Sequence, residues 1–158
     1  MEEPPEPMVT RLAEQKALSL ARNLTADAIL ITSDQIALHN NRVLGKPLSK
    51  HVQAQQLSEF SGHSVVFLTS LAVMNTFSGS IQQTIVPTTV KFRTLTAQQI
   101  TLYCEKEDAT QCAGGFKAEG LGISLFESIH SDDPNALIGL PLIQLCSFLK
   151  NEQQFPLS

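Results

Sequence analysis

Residues 28–47 read AILITSDQIALHNNRVLGKP, and this stretch decides the fold. Its first five residues, 28–32, form an apolar run typical of a buried strand. The run stops at Ser33, Asp34 and Gln35, so we expect Asp34 at the exit of the strand. A carboxylate at the end of a strand that is apolar on both faces costs stability unless it binds something. In open α/β sheets, this exit is where ligands bind.

A hairpin follows the predicted strand. Residues 36–39 turn through Asn40 and Asn41 and return as 42–47, a segment that carries Lys46 just before a proline. The short hairpin is expected to bring the acid of the strand exit and this lysine to one crevice. Such a pair suits chemistry on a phosphorylated, metal-bound substrate, because that chemistry depends on positioned cations and a metal.

The bulk composition is that of an ordinary folded protein. With 158 residues, of which 42% are apolar and 16% charged, the chain can bury a core and is not expected to be disordered. A formal net charge of −4 argues against binding a nucleic acid polymer. No apolar run is long enough to make the membrane a partner. The three cysteines are odd in number and lack CxxC spacing, which indicates reduced thiols and a cytoplasmic protein.

The chain reads as one domain with short ends. We expect residues 1–7 to be a flexible, proline-rich lead-in, residues 8–150 a single domain, and residues 151–158 a C-terminal tail. The acidic start shows no signal peptide.

Helices alternate with β-type segments along the domain. Helices are predicted over about 7–23, 49–60, 96–106 and 141–150, and strands over about 65–74 and 81–92. Ser49 is expected to be the N-cap of the second helix, and Thr96 with Gln99 to form a capping box that opens the third. Pro87, within the last of these strands, suggests an edge position or a bulge. The predicted fold class is therefore α/β, a mixed sheet with helices packed on it, or α+β.

Lys16 interrupts the apolar stripe of the first predicted helix. It lies four residues after Leu12 and four before Leu20. One interpretation is a lysine whose stem packs on its apolar neighbours while its amine reaches water. The other is an ammonium directed into the same crevice as Asp34. The sequence leaves both interpretations open.

Several familiar motifs are incomplete. The stretch from Gly115 to Gly122 has the GxxxxG frame of a phosphate loop but lacks the lysine and hydroxyl residue that follow it. Ser33 has no base placed for it by the sequence, so a serine hydrolase is not supported. The four histidines are scattered without zinc spacing, and we expect them at the surface or in turns.

Five segments remain once these motifs are excluded. They are RLAEQKA at 11–17, SDQ at 33–35, LGKP at 44–47, CAGGFKAEGLG at 112–122 and DPNALIGLP at 133–141. Together, in order and spacing, they resemble the Maf family of nucleoside-triphosphate pyrophosphatases over nearly the whole chain. Ser-Asp-Gln and Lys-x-Glu-Gly look most like the branch that hydrolyses 7-methyl-GTP. The branch acting on dTTP and UTP has threonine after the aspartate and glutamine before that glycine.

The resemblance implies the fold of the Maf and inosine-triphosphate-pyrophosphatase-like proteins, and a reaction. Water cleaves the bond between the α- and β-phosphates of a nucleoside triphosphate, and a divalent cation, Mg²⁺ or Mn²⁺, is required. Asp34 would be the proton acceptor that activates water, a metal ligand, or both. Lys16 and Lys46 would hold phosphate oxygens and offset the charge of the leaving pyrophosphate. Lys117 would do the same, or would be a solvated loop lysine.

Base specificity is predicted from two further residues of the resemblance. Methylation at N7 makes the guanine ring cationic, and its Watson–Crick edge still presents N–H donors. The carboxylate of Glu119 can accept from that edge and favour the cation, and Gln35 can add an amide hydrogen bond. The alternative for Glu119 is that it only caps a turn.

The chain also departs from the family pattern. Maf proteins begin with a strand and a Ser-x-Ser-Pro-x-Arg-Arg type loop that cradles the triphosphate, followed by an acidic pair to which Glu2 and Glu3 cannot be matched securely. We therefore expect an N-terminally truncated protein that lacks a central strand and bidentate cations. Its activity should be much weaker than that of a full-length relative, or absent. Equal turnover by a version extended upstream would contradict this expectation.

Three alternatives to the 7-methyl-GTP enzyme follow. One is a regulatory protein that binds nucleotide without cleaving it, because the phosphate loop is missing. Another is a pyrophosphatase for dTTP or UTP, and the weakest is a metal-binding structural module. The family often forms dimers, and an exposed sheet edge would allow this chain to pair as a homodimer. The sequence does not identify the dimer interface, the metal or the rate.

Overall fold

The computed structural model describes residues 3–157, which form four α-helices, five strands and three short 3₁₀ turns. The helices are α1 (Pro5–Ala21), α2 (Lys50–Phe60), α3 (Ala97–Lys106) and α4 (Leu142–Asn151). The strands are β1 (Ile29–His39), β2 (Arg42–Leu44), β3 (Ser64–Asn75), β4 (Ile81–Phe92) and β5 (Phe126–Ser131). They form one antiparallel sheet in the order β2-β1-β3-β4-β5. The predicted class of helices combined with a sheet is confirmed.

The chain divides into two compact units. The first comprises the described parts of Met1–Gln35 and Asp132–Ser158 together with Leu68–Val86, and the second comprises Ile36–Phe67 and Pro87–Ser131. Strands β1, β3 and β4 each contribute residues to both units. None of the helices within residues 3–157 has the length and apolar content needed to cross a membrane.

Helix α1 packs in the first unit through small side chains spaced four residues apart. Val9, Ala13 and Ala17 are buried, and the carbonyls of Val9 and Ala13 accept hydrogen bonds from Ser70 Oγ at 2.8 Å and Thr32 Oγ1 at 2.7 Å. The helix begins at Pro5, two residues before the predicted start, because proline suits its first position.

A second apolar group in the first unit joins α4 to β3. Its buried members are Leu71, Val73 and Leu145. The aromatic ring of Phe148 and the aliphatic side chain of Ile29 pack against them. The last predicted helix is therefore present, and it starts one residue later than expected, with Pro141 as its N-cap.

Strand β1 does not stop at Ser33, Asp34 and Gln35 as predicted. It continues from Ile29 to His39, so Asp34 lies in the middle of a strand. Three consecutive polar residues suggested a strand end. Each of their side chains has a polar partner within the first unit, so the strand can continue without leaving these polar groups unpaired. Because the sheet is antiparallel, the argument from open α/β sheets does not apply to this position.

The predicted hairpin after β1 is confirmed. Asn40 and Asn41 have φ values of 50° and 60°, the left-handed conformation of a tight hairpin turn, and His39 pairs with Arg42. His39 is buried against Phe60, with ring centroids 5.4 Å apart, which corrects the expectation of a surface or turn histidine.

The core of the second unit is aromatic. Its rings meet edge to face or tilted, with centroids 4.8–5.6 Å apart, a favourable arrangement for aromatic pairs. The members are Phe60, Phe67, Phe92, Phe116 and Phe126.

The expectation from Pro87 was partly wrong. Strand β4 is interior to the sheet, not an edge, and its irregularity lies between Lys91 and Phe92. The pairing of β4 with β5 starts only at Thr88, opposite Ser131, so Pro87 precedes that ladder. Strand β5 itself was not predicted, because residues 126–131 are mostly polar and follow a glycine-rich segment.

The capping box of α3 is present as predicted. Thr96 Oγ1 accepts from Gln99 N at 3.2 Å, and Gln99 Oε1 accepts from Thr96 N at 2.8 Å. We expect Thr96→Ala to lower the free energy of unfolding by about 1 kcal/mol, because it leaves a helix N–H without its acceptor. Urea unfolding measures the change. Thr101→Ala, at an exposed position inside the same helix, is the matched control, and an equal loss there would contradict the capping role.

Candidate functional site

Lys16 and Asp34 form the centre of the candidate site in the first unit. Lys16 Nζ lies 3.2 Å from Asp34 Oδ2 and donates a hydrogen bond to Ser33 O at 2.9 Å. The lysine side chain is 53% exposed, whereas that of the aspartate is 22% exposed. The sequence left two interpretations of Lys16 open, and the structure shows its ammonium in contact with Asp34. Its helix neighbours Ala13 and Ala17 are buried.

The backbone holds the Asp34 carboxylate in place. Its Oδ1 accepts from Gln35 N at 2.8 Å. Ser70 Oγ, whose single hydrogen can be donated to the carbonyl of Val9 or to that of Asp34, lies 3.3 Å from the Asp34 carbonyl oxygen. Each carboxylate oxygen has more than one lone pair, so both can accept further hydrogen bonds or bind a cation. An oriented, partly exposed carboxylate next to an ammonium can accept a proton from water or hold a metal ion.

Gln35 uses its amide nitrogen inside the first unit. Nε2 donates to Thr69 Oγ1 at 2.8 Å and approaches the carbonyls of Ala136 at 3.0 Å and Leu137 at 3.2 Å. An amide nitrogen has two hydrogens, so these acceptors occupy both. Recognition of the base by Gln35 stays a prediction. Since the Nε2 hydrogens are occupied, Gln35 would have to contact the base through Oε1.

The DPNALIGLP segment supports this part of β1, a role that sequence analysis missed. Ser33 Oγ donates to the carbonyl of Gly139, a residue whose φ of 123° favours glycine. Asp133 accepts from Asn135 N at 2.8 Å and from Ile143 N, in the first turn of α4, at 2.6 Å. The sequence did offer one signal for this role. Asp133 lies two residues before Asn135 and shortly before a helix, a position from which aspartate commonly accepts backbone N–H groups.

The other predicted site residues lie in the second unit. Lys46 is exposed after β2, Glu119 is exposed, and Lys117 is half-buried. All three lie near Cys112. Burial raises the pKa of the Cys112 thiol, Lys117 and Lys46 act in the opposite direction, and Glu119 adds to the rise. Lys46, Lys117 and Glu119 are therefore each close enough to this thiol to act on its charge.

The glycine-rich segment is shaped by close packing. A Cβ on Gly114, at a φ of 77°, would lie 2.8 Å from the Phe67 ring, and one on Gly122 would lie 2.3 Å from the Lys117 carbonyl oxygen. The fully buried Gln53 donates to Gly115 O at 3.0 Å. The close approach of Gly122 to the Lys117 backbone therefore leaves no room for a Cβ.

Tyr103 fixes the same segment from α3. Its hydroxyl oxygen accepts from Lys117 N at 3.1 Å, and the residue is only 5% exposed. Burial raises the pKa of Tyr103 above its ordinary value, and the nearby Glu107 raises it further. The neutral phenol is therefore the form that the folded protein stabilises.

We expect a pH dependence from Tyr103, the single tyrosine of the chain. Folding raises the pKa of the Tyr103 phenol. The contribution of the neutral phenol to the free energy of unfolding is therefore complete below the pKa that Tyr103 has in the unfolded chain, and it is lost as pH rises above that value. Absorbance of tyrosinate should therefore appear at higher pH in the native protein than in urea. Coincident titration curves would contradict the burial that raises the pKa of Tyr103.

The Maf-like protein profile matches residues 1–152. The chain is 50% identical over 147 residues, 93% of its length, to a protein of Pseudoalteromonas translucida named 7-methyl-GTP pyrophosphatase, of which it covers 72%. Proteins with the same name from Idiomarina loihiensis and Nitrosococcus oceani are 46% and 45% identical over 99% and 94% of the chain, which covers 79% and 74% of them.

The class of protein follows from these similarities together with the fold, in which helices and an antiparallel sheet carry a paired lysine and aspartate. The chain belongs to the Maf-like family. The family resemblance of the five sequence segments is thereby confirmed.

Proposed function

We propose that the chain hydrolyses 7-methyl-GTP to 7-methyl-GMP and pyrophosphate. The observation that carries the proposal is the contact of Lys16 Nζ with Asp34 Oδ2 at 3.2 Å, in a chain 45–50% identical to proteins named 7-methyl-GTP pyrophosphatase. The water oxygen bonds to the α-phosphorus, the bond to the bridging oxygen breaks, and pyrophosphate leaves with that oxygen.

Asp34 is proposed to take the proton from the attacking water. Its Oδ1 is oriented by Gln35 N, and its Oδ2 lies 3.2 Å from Lys16 Nζ. Lys16 then serves twice, because its ammonium holds the carboxylate and can hold a phosphate oxygen. Lys46 and Lys117 are proposed as further phosphate contacts, and Glu119 and Gln35 as base contacts.

A divalent cation, Mg²⁺ or Mn²⁺, is proposed as the cofactor, with Asp34 as its ligand. Within residues 3–157, no group of three or more acidic, histidine or cysteine side chains is arranged to hold a metal ion. One carboxylate fits Mg²⁺ well, because this ion keeps several waters and binds through one or two carboxylates plus substrate phosphates. When bound, the cation neutralises charge on the phosphate oxygens.

The test is product analysis with the purified chain, 7-methyl-GTP and each metal in turn. Formation of 7-methyl-GMP and pyrophosphate in equal amounts supports the proposal. Release of inorganic phosphate with 7-methyl-GDP would contradict it. A panel with GTP, dTTP and UTP tests the base, and faster cleavage of dTTP or UTP would assign the chain to the other branch.

A further inference from the structure

A separate cavity of about 320 Å³ lies entirely within the second unit. It is bounded by α3, by the segment that follows β4, and by the 3₁₀ turn Leu121–Leu125. Its volume falls in the range of small-molecule sites. The proposed hydrolysis uses none of the residues that line it.

Apolar side chains form part of the cavity wall. Leu95, Leu125 and the ring of Tyr103 line it together with Leu102 and Leu121. The last two are 44% and 48% exposed, so apolar surface is open to a ligand that enters. Burying this surface under an apolar body would remove it from water, which favours binding.

The charge at the cavity is positive. Arg93 and Lys106 both line it, both are exposed, and neither forms an ion pair with another described residue. Among residues 3–157, no acidic side chain contributes to the lining. The hydroxyl of Ser124 and the amide of Gln99 add neutral hydrogen-bonding groups.

We propose that this cavity binds a small organic anion with an apolar body. The anionic head, a carboxylate or a phosphate monoester, pairs with Arg93 and Lys106, and the body lies on the leucines. A guanidinium binds either head through parallel hydrogen bonds, which favours an anion over a neutral polar group.

Tyr103 connects the cavity to the glycine-rich segment and reports on it. Its ring lines the cavity while its hydroxyl accepts from Lys117 N at 3.1 Å. The chain has one tyrosine and no tryptophan, so its intrinsic fluorescence comes from this residue. A ligand in the cavity should therefore change the emission of the protein directly.

The experiment titrates the full chain with 4-methylpentanoate, with isobutyl phosphate and with the neutral 4-methylpentanamide. Tyrosine fluorescence and calorimetry measure binding. We expect saturable binding of at least one anion, at least about tenfold tighter than the amide, which corresponds to about 1.4 kcal/mol. Comparison of the two anions identifies the preferred head group.

Substitution locates the site. The double variant Arg93→Gln/Lys106→Gln should bind the anion at least about tenfold more weakly, whereas Lys50→Gln, which removes an exposed cation outside the cavity, should bind it normally. Equal binding of acid and amide, equal weakening by the control, or no saturable signal by either method would overturn the proposal. Hydrolysis of 7-methyl-GTP is measured separately, so the two proposals fail independently.

Discussion

Asp34→Asn should reduce turnover of 7-methyl-GTP about a thousandfold, because the variant loses the group proposed to accept the proton of water. The substitution keeps the shape of the side chain, and an amide oxygen can still accept from Gln35 N, so the local fold should persist. What disappears is the charge that pairs with Lys16. Initial rates of pyrophosphate release with Mg²⁺ or Mn²⁺ measure the effect.

Asp27→Asn is the matched control, since Asp27 is an exposed carboxylate of the same unit. It should leave the rate unchanged. Binding of 7-methyl-GTP by the Asp34 variant separates the enzyme from the regulatory alternative: retained binding with lost hydrolysis supports the enzyme. A variant that folds, binds and cleaves at the normal rate would exclude Asp34 as the proton acceptor.

Gly122→Ala should cause the largest loss of stability. The added Cβ would lie 2.3 Å from the Lys117 carbonyl oxygen and 2.8 Å from the carbonyl carbon. Both are backbone atoms, so no side-chain rotation relieves the overlap and the segment itself has to move. We expect the free energy of unfolding to fall by about 2–3 kcal/mol, the range of a severe overpacking change.

Urea unfolding of Gly122→Ala beside Gly45→Ala tests this expectation. A Cβ added to Gly45 meets no atom of the described residues within 4 Å, so this substitution should change stability by no more than about 0.5 kcal/mol. The 7-methyl-GTP rate of Gly122→Ala should fall as well, because the segment carries Lys117. Unfolding midpoints that coincide for the two variants would show that the backbone contact at Gly122 has no energetic weight.

Local signals predicted much of the fold. The capping box at Thr96, the Asn40-Asn41 turn and the N-cap Ser49 each act within a few residues, so sequence reasoning placed them correctly. Strand β5 was missed because its residues lack apolar alternation, and its place depends on pairing with β4, a partner distant in the chain.

The contact of Lys16 with Asp34 was foreseen as one alternative, but the position of Asp34 within its strand was not. The pairing of Lys16 with Asp34 was one of two interpretations of the sequence, because a helix position alone does not say where an ammonium points. The sequence also placed Asp34 at a strand end, whereas it lies within β1. The error came from treating polarity as a stop signal without knowing the partners of Ser33 and Gln35.

The sequence by itself determined the family of this protein, its helix caps and turns, and the residue types available for phosphate chemistry, because each of these depends on neighbours along the chain or on an ordered set of motifs. Only the tertiary structure decided that Lys16 contacts Asp34 and that the Gln35 amide donates to Thr69 and to the carbonyls near Ala136. It also decided that the Tyr103 hydroxyl accepts from Lys117 N. Those contacts join residues separated by 14 to 102 positions, so the packing of distant segments, and not the neighbours along the chain, sets their partners.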